Sequence, residues 1–448
     1  MADKAREIVE IVQAEDVQFI DLQFTDIFGT TKSVTIPASG LEEALERGIW
    51  FDGSSIQGFA RIQESDMFLR PDPVTFRILP WTGNGSDLRA RVICDVHNPD
   101  GSPFEGDPRY ALRRAIAHAA DLGYVFNTGP ELEFFLFREG GDGPAAAVPH
   151  DVGGYFDFSP GDEAQRVRSD IVNALQALRI HVEMSHHEVA IGQHEIDFRY
   201  ADALHSADNA VTFKYTVKGI AAKHGLFATF MPKPMFGMNG SGMHVHQSLV
   251  DIDSGESKFF DPDGEFALSL TARQFIAGQL RHARALSAVV APTVNSYKRL
   301  TPGYEAPVYV CWAQRNRSAL IRVPRYSPGR EQSTRAELRF PDPSCNPYLA
   351  FAVMLEAGLA GIEEGLEPPP SVSDDVFHWT QSEREAQGVD VLPGTLEEAL
   401  DELASDDILR AALGEHIYDA YDRAKREEWD DYRIHVTAWE VDRYLRTT

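Results

Sequence analysis

The hydrophobic and polar positions change period several times along the chain, and each change marks an element. Ile8, Val9, Ile11 and Val12 fall on one face of an opening amphipathic helix. Residues 17–24 and 31–36 alternate with a period of two on either side of Ile27-Phe28-Gly29, which predicts a β-hairpin. Ser39 followed by Glu42 reads as a capping box for a short helix ending near Gly48. A further strand over 90–96 closes on the turn Asn98-Pro99-Asp100-Gly101. These signals predict a small α/β domain over residues 1–106. It ends in the loop before Asp107, which can cap a helix carrying Pro108 at its first position.

From 107 onward the elements lengthen. Helical periods over 109–122, 163–178, 206–224, 269–289 and 347–362 alternate with strand-like runs that hold pairs of polar residues. Residues 142–149 (DGPAAAVP) read as a flexible insertion without chemistry. Beyond Pro368-Pro369-Pro370 a helical tail spans 395–445. It opens on the capping box Thr395 to Glu398 and sets Leu396, Ala399, Leu400 and Leu403 on one face. A second, larger domain over 107–448, including this tail, is therefore expected. The sequence holds no internal repeat and no low-complexity tract.

Composition narrows what such a chain can do. Its 448 residues exceed one ordinary core, and 43% hydrophobic with 25% charged residues mark a globular protein. Against 42 Lys plus Arg stand 69 Asp plus Glu, a formal net charge of −27. That balance speaks against nucleic acid or an anionic membrane as partner and leaves room for carboxylates that bind divalent cations. The N-terminus, MADKAREIVEIV, has no leader character and no run of 18 apolar residues occurs, so the expected location is cytoplasmic. Cys94, Cys311 and Cys345 lack paired spacing and support neither a disulfide framework nor a zinc knuckle.

The densest chemistry lies in residues 233–249, KPMFGMNGSGMHVHQSL. Gly237, Gly240 and Gly242 surround Asn239 and Ser241, and a strand beyond them would point His244 and His246 the same way, about 7 Å apart. Glu131 and Glu133 in GPELEFFLF share a face opposite Leu132, Phe134 and Leu136. Two carboxylates on an aromatic strand call for a compensating cation or base, and hard oxygen ligands suit Mg2+ or Mn2+. Glu188 and Glu195 have an odd separation that sends them to opposite faces of a continuous strand, so a shared role requires a bulge or turn at Gly192. Glu337 and Arg339 share a face with opposite charges and close the segment 297–340, where nine basic residues meet three acidic ones. Arginine forks bind carboxylates and phosphates, so this island suits ATP or an acidic substrate. There is no P-loop, nucleophile elbow or dinucleotide fingerprint. FDGSSIQGF, residues 51–59, is turn chemistry by itself, and only its company makes Asp52 a candidate.

With FDGSSIQGF, GPELEFF, HHEVAIGQHEID, KPMFGMNGSGMHVHQSL, NSYKRLTPGYEAP, NRSALIR and ELRFPDPSCNPY in this order, the chain resembles class I glutamine synthetases along almost its whole length. The resemblance implies an α+β fold. A small N-terminal β-grasp-like domain, contributing to the neighbouring subunit's active site, would precede a large catalytic domain with a curved antiparallel sheet flanked by helices. It implies a homo-oligomer, a dodecamer of two stacked hexamers. The implied reaction is ATP-dependent ligation of ammonia to the γ-carboxylate of L-glutamate through γ-glutamyl phosphate. Glutamate, ammonium and ATP would be the partners, with two or more Mg2+ or Mn2+ ions per site.

Residue by residue, the resemblance implies that Glu133, Glu188 and Glu195 hold one ion and Glu131, His244 and Glu337 the second. His246, Ser248, Arg322, Glu183 and Tyr200 match ATP-contacting positions. Asn239, Gly240, Arg299, Arg317 and Arg339 match groups that hold glutamate or the transferring phosphoryl group. Asp52, with Ser55 beside it, matches the residue that binds and deprotonates ammonium; Tyr155 would line that pocket, and Glu305 matches the flap that closes the site. Arg61 and Met238 coincide with the branch regulated by glutamine feedback, while Phe377 stands where the adenylylated branch has a tyrosine. The alternatives are a γ-glutamyl ligase for another amine (polyamine, ethanolamine or methylamine) and a non-catalytic nitrogen-sensing scaffold. The set Asp52, Tyr155 and Glu305 favours ammonia.

Overall fold

The computed structural model describes residues 2–56, 58, 66–83, 85–138, 148–158, 163–302, 306–316, 318–374 and 376–448. The first sheet contains β1 (Phe19–Thr25), β2 (Thr31–Pro37), β3 (Ile49–Asp52), β4 (Asp66–Pro71), β5 (Arg77–Ile78) and β6 (Arg89–His97). Their order is β2-β1-β6-β4-β3, with β5 against β6. The two alternating runs form the expected hairpin, Leu22 facing Val34, and β1 then pairs in parallel with β6. Inward residues such as Ile20, Leu22 and Val92 meet Ile8 and Val12 of the opening helix in one buried cluster. The Ser39 capping box does not form. Ala38–Gly40 make a 3-10 turn that runs directly into the helix Leu41–Arg47, leaving Gly40 at the N-cap with no side-chain bond. That helix does stop at Gly48, where φ is 72° and a Cβ would lie 2.3 Å from the Phe68 ring.

The second sheet contains β7 (Tyr124–Arg138), β8 (Val148–Pro149), β9 (Val182–His187), β10 (Gln193–Phe198), β11 (Ala201–Asp202), β12 (Leu226–Thr229), β13 (Met243–Asp251), β14 (Tyr309–Ala313), β15 (Ala319–Arg322), β16 (Ala336–Leu338) and β17 (Asp390–Val391). The order is β17-β14-β15-β16-β13-β7-β10-β9, with β8, β11 and β12 also on β7. Pairing is antiparallel apart from β14 with β15. The 15-residue β7 is its spine. Leu132, Phe134 and Leu136 on one face are buried in the main core with residues of the helices Pro108–Asp121 and Ala203–Lys223. This is the expected α+β architecture, a β-grasp domain and a large curled sheet flanked by helices.

Most predicted helices appear within a few residues of their expected bounds, and their starts follow local chemistry. Asp107 accepts from the Arg109 amide at 2.9 Å ahead of Pro108, and Thr395 caps the helix Leu396–Ala404. The run over 269–289 is a correction. It divides into Leu270–Arg281 and Ala283–Val290 at His282, whose Nδ1 meets Asp406 at 2.5 Å. The tail is likewise not continuous but four helices, the last being Glu415–Arg433 and Ala438–Tyr444. Of the expected insertion, residues 142–147 lie outside the described residues, and Val148–Pro149 pair with β7. Among the described residues no helix is long and apolar enough to cross a membrane.

One buried charge network joins the two sheets. Arg109, 2% exposed, reaches Asp72 at 2.8 Å and Asp95 at 2.5 Å in the small sheet's domain. It also reaches Asp208 at 2.9 Å on the long helix behind the large sheet, and the Tyr348 hydroxyl donates to Asp208 at 2.7 Å. Four of the guanidinium donors are thus matched by carboxylates, the condition under which a buried cation is tolerated.

Candidate active site

Strand register assembles the site. On β7, Glu133 lies opposite Glu195 of β10, and Glu131 lies opposite His244 of β13. His246 pairs with Glu337 of β16. Since alternate residues share a face, four strands point carboxylates and imidazoles into one concavity. Gly192, with φ of 70°, sits in the turn between β9 and β10, so the odd spacing of Glu188 and Glu195 is reset by a hairpin rather than by a bulge in one strand.

Two cavities share Glu131 as a common wall. The first, about 250 Å³, is lined by Glu131, Glu133, Glu188, Glu195, His244 and Glu337, and by Asn239, Gly240, Arg299, Arg322, Arg339 and Tyr155. The second, about 380 Å³, is lined by Glu131, Asp197, Glu183, Tyr200, His246, Ser248, Arg330 and Arg335. Arg322 lines the carboxylate cavity beside Arg339. A roomier cavity of about 490 Å³ lies between Phe28, Asn346 and Tyr421. It lacks a His–carboxylate grouping among the described residues.

Within the first cavity, ligand atoms of Glu131, His244 and Glu337 lie within 4.8 Å of one another, as do those of His186, Glu188 and Glu195. Glu337 is 1% exposed, bound by Arg322 and, at 3.1 Å, by Arg339. Burial opposes its ionisation, but His246, His244 and the two arginines hold its carboxyl below the usual range. Glu133 and Glu195 stand the other way. Burial, with Glu188 close to Glu133, pushes the Glu133 carboxyl up to about 8, and burial with the neighbouring Glu133 and Asp197 charges pushes Glu195 to about 9. The protein groups around Glu133, Glu188 and Glu195 thus favour the protonated form of two of the three carboxyls, and ionising all three calls for a further cation. Hard carboxylate oxygens with a single strand imidazole, crowded in this way, fit one or more divalent cations of the Mg2+ or Mn2+ kind.

Gly240 and Gly242 permit the close approach of the loop to this cavity. A Cβ on Gly240 would meet the Pro232 carbonyl at 2.2 Å, and one on Gly242 would meet Arg299 Nη2 at 2.5 Å. Arg299 itself is buried and donates to the carbonyls of Phe340, Pro341 and Arg339. Beneath the loop, Phe135, Phe137 and Ala190 pack with Met235 and Met238 in a small apolar cluster on the Glu133 face.

Asp52 and Ser55 line neither cavity. Asp52 ends β3 on the small sheet and accepts from the Ser54 amide at 2.8 Å, and hydrogen bonds from Ser54 hold its carboxyl below the usual range. Arg61, Glu305 and Arg317 lie outside the described residues. Phe377 packs edge-on to Tyr309, ring centroids 5.7 Å apart.

Two side chains at the site, His186 and Gln193, carry no expectation from the sequence, and a third, Arg335, counts there only among the nine basic residues of 297–340. His186 Nε2 stands 3.0 Å from Glu188 and 3.1 Å from Glu195, bridging the pair. Burial works against its charge, yet hydrogen bonds with both carboxylates raise the imidazole to about 10. His186 and Glu188 are two apart, so the rule applied to His244 and His246 would have joined them. Gln193 donates to Glu133 at 2.9 Å, and Arg335 donates to His246 Nδ1 at 3.0 Å.

Comparison with known proteins agrees with this geometry. Residues 105–444 match the family described as glutamine synthetase, catalytic domain, and residues 16–99 match glutamine synthetase, beta-Grasp domain. A glutamine synthetase of Thermus thermophilus is 54% identical over 444 residues, covering 98% of each chain. One of Halobacterium salinarum is 52% identical over 445 residues, covering 99% of this chain and 97% of the other. Among solved structures, a GmaS/ADP complex superposes with a TM-score of 0.87 at 34% identity, covering 98% of this chain and 99% of that one. The chain belongs to the glutamine synthetase family.

Proposed function

We propose that the chain ligates ammonia to the γ-carboxylate of L-glutamate at the expense of ATP, through γ-glutamyl phosphate, as a class I member of the family. The observation that carries this reading is Glu131 standing between two cavities, one rich in carboxylates and arginines and the other holding His246, Ser248 and Arg335. Full-length relatives at 52 to 54% identity carry the glutamine synthetase name, so the other-amine and scaffold readings are not favoured.

Attack of a γ-carboxylate on the γ-phosphate of ATP brings two anions together. Arg322 and Arg339 meet that charge from one wall of the first cavity. Glu131, His244 and Glu337 would hold one divalent cation, and Glu133, Glu188 and Glu195 another, with His186 braced against the latter pair. Such ions, when bound, neutralise phosphoryl oxygens and align them for in-line transfer. Asn239, Gly240, Arg299 and Arg317 would hold the amino acid and the transferring group, while His246, Ser248, Glu183 and Tyr200 face the nucleotide. Glu305 would close the site, since an acyl phosphate must be kept from water.

Ammonium is not a nucleophile until it loses a proton. Asp52, whose carboxyl the Ser54 hydrogen bonds hold below the usual range, presents an ionised carboxylate as the acceptor for that proton. We assign it, with Ser55, to the neighbouring subunit's site beside Tyr155. The small domain over 1–106 thus serves a different copy than the catalytic domain over 107–448. A dodecamer of two stacked hexamers in the cytoplasm completes the reading.

An assay of ATP consumption and product formation with ammonium, methylamine, ethanolamine and a polyamine tests it. Ammonium is expected to give the highest kcat/KM; a higher value for another amine would replace the proposed acceptor.

A further inference from the structure

The hairpin that carries Glu188 and Glu195 is held from outside by the segment 150–156, of which only Tyr155 lines either cavity. Asp151 accepts from the Gly192 amide at 2.8 Å, at the turn between β9 and β10. Its two oxygens stand 3.1 Å from His187 Nε2, and His150 Nε2 approaches at 3.0 Å. His187 in turn donates through Nδ1 to the carbonyl of Glu188 at 2.6 Å. One carboxylate therefore grips the far side of the turn directly and the backbone of Glu188 through one imidazole.

Four further contacts tie the same segment to the same strand end. The Phe156 amide donates to the His187 carbonyl at 3.0 Å. Phe156 and Tyr155 lie edge-on to the His186 ring, centroids 4.8 Å and 5.7 Å away, and His186 is the group that bridges Glu188 and Glu195. A Cβ on Gly153 would fall 2.8 Å from His187 Nε2, so the chain runs directly over that ring.

We infer that Asp151 is a positioning residue for the Glu188 and Glu195 carboxylates, acting through His187 and the Gly192 turn on the cation held between them. The inference rests on the cation reading given above. Groups behind a ligand fix its orientation, and their loss commonly weakens metal binding by about 10- to 100-fold. Of the two, Glu195 lies within β10 between β7 and β9, whereas Glu188 follows the end of β9 and enters the turn, where fewer strand partners resist a shift of its carboxylate.

The test is Mn2+ binding by calorimetric titration of the full-length protein, read beside melting temperature and the kcat and KM of glutamine formation. Asp151→Ala is expected to weaken Mn2+ binding by about tenfold or more. Asp151→Asn should recover most of that loss, because the amide keeps an acceptor for Gly192 and offers an N–H to His187 Nε2. His282→Ala, which breaks a helix contact outside both cavities, should lower the melting temperature without changing Mn2+ affinity. Wild-type affinity in Asp151→Ala, or an equal loss of affinity in His282→Ala, overturns the inference. A wild-type protein that binds Mn2+ but makes no glutamine would reject the proposed reaction while leaving the titrations to judge Asp151. One that binds no Mn2+ overturns both.

Discussion

His246 Nε2 donates to Oε1 of Glu131 across 2.7 Å, and Arg335 donating to its Nδ1 fixes that tautomer. Glu131 thereby answers to both cavities at once. Burial opposes its ionisation, but hydrogen bonds from His244 and His246 keep its carboxyl well below the ordinary range. Glu131→Ala should weaken Mn2+ and an ATP analogue together, each by about tenfold or more, whereas Glu337→Gln should weaken Mn2+ chiefly. Paired calorimetric titrations decide this. An unchanged nucleotide affinity in Glu131→Ala would show that the shared wall carries no coupling.

Asp52 stands apart from both cavities, and its proposed task begins only after phosphoryl transfer. Asp52→Ala should lower glutamine formation by about 100-fold or more, with ATP affinity close to that of the unaltered protein. Equal loss in turnover and in nucleotide binding would remove the residue from proton transfer.

The Arg109 network makes stability depend on pH in a defined direction. Despite burial, Arg109 and Arg113 hold the Asp95 carboxyl below the usual carboxylate range. A depressed carboxylate adds stability that is present above its unfolded pKa and lost as pH falls through the lower folded value. Arg109→Met leaves Asp72, Asp95 and Asp208 facing one another without their common cation, a loss of about 3–5 kcal/mol at neutral pH. The deficit should shrink as pH falls through about 4, where the carboxylates left without their common cation take up protons. Melting curves at pH 7 and at about pH 3.5, below the unfolded value, provide the comparison, and a gap that stays constant or widens in acid would contradict the assignment.

Arg61 offers a regulatory prediction from sequence resemblance alone. Millimolar glutamine should inhibit the native protein, and Arg61→Ala should relieve that inhibition. Indifference to glutamine in both proteins would end the proposal. Phe377, standing where the resemblance places the adenylylated branch's tyrosine, has no hydroxyl to modify and is packed against Tyr309, so a cognate adenylyltransferase should leave the protein unlabelled.

Local chemistry explains what could be read in advance. Asp107 before Pro108, the alternation around Ile27-Phe28-Gly29, and the same-face pairs Glu131/Glu133 and His244/His246 all depend on neighbours in sequence. Where the structure departs from the pattern, a distant partner decides. The helical run over 269–289 breaks at His282 because its imidazole is engaged by Asp406 in the tail. Ser39 loses its capping role because the chain enters the helix already turning. For His186 the spacing to Glu188 is legible along the chain, but its second partner Glu195 arrives only when the hairpin folds back.

The interdomain arginine has a consequence for association. Asp72 and Asp95 are clamped to Arg109 within each copy, so the small sheet that carries Asp52 is already oriented before any second copy arrives. In the proposed homo-oligomer, docking would then spend little conformational entropy on this arm, leaving more of the contact energy to bind the neighbour.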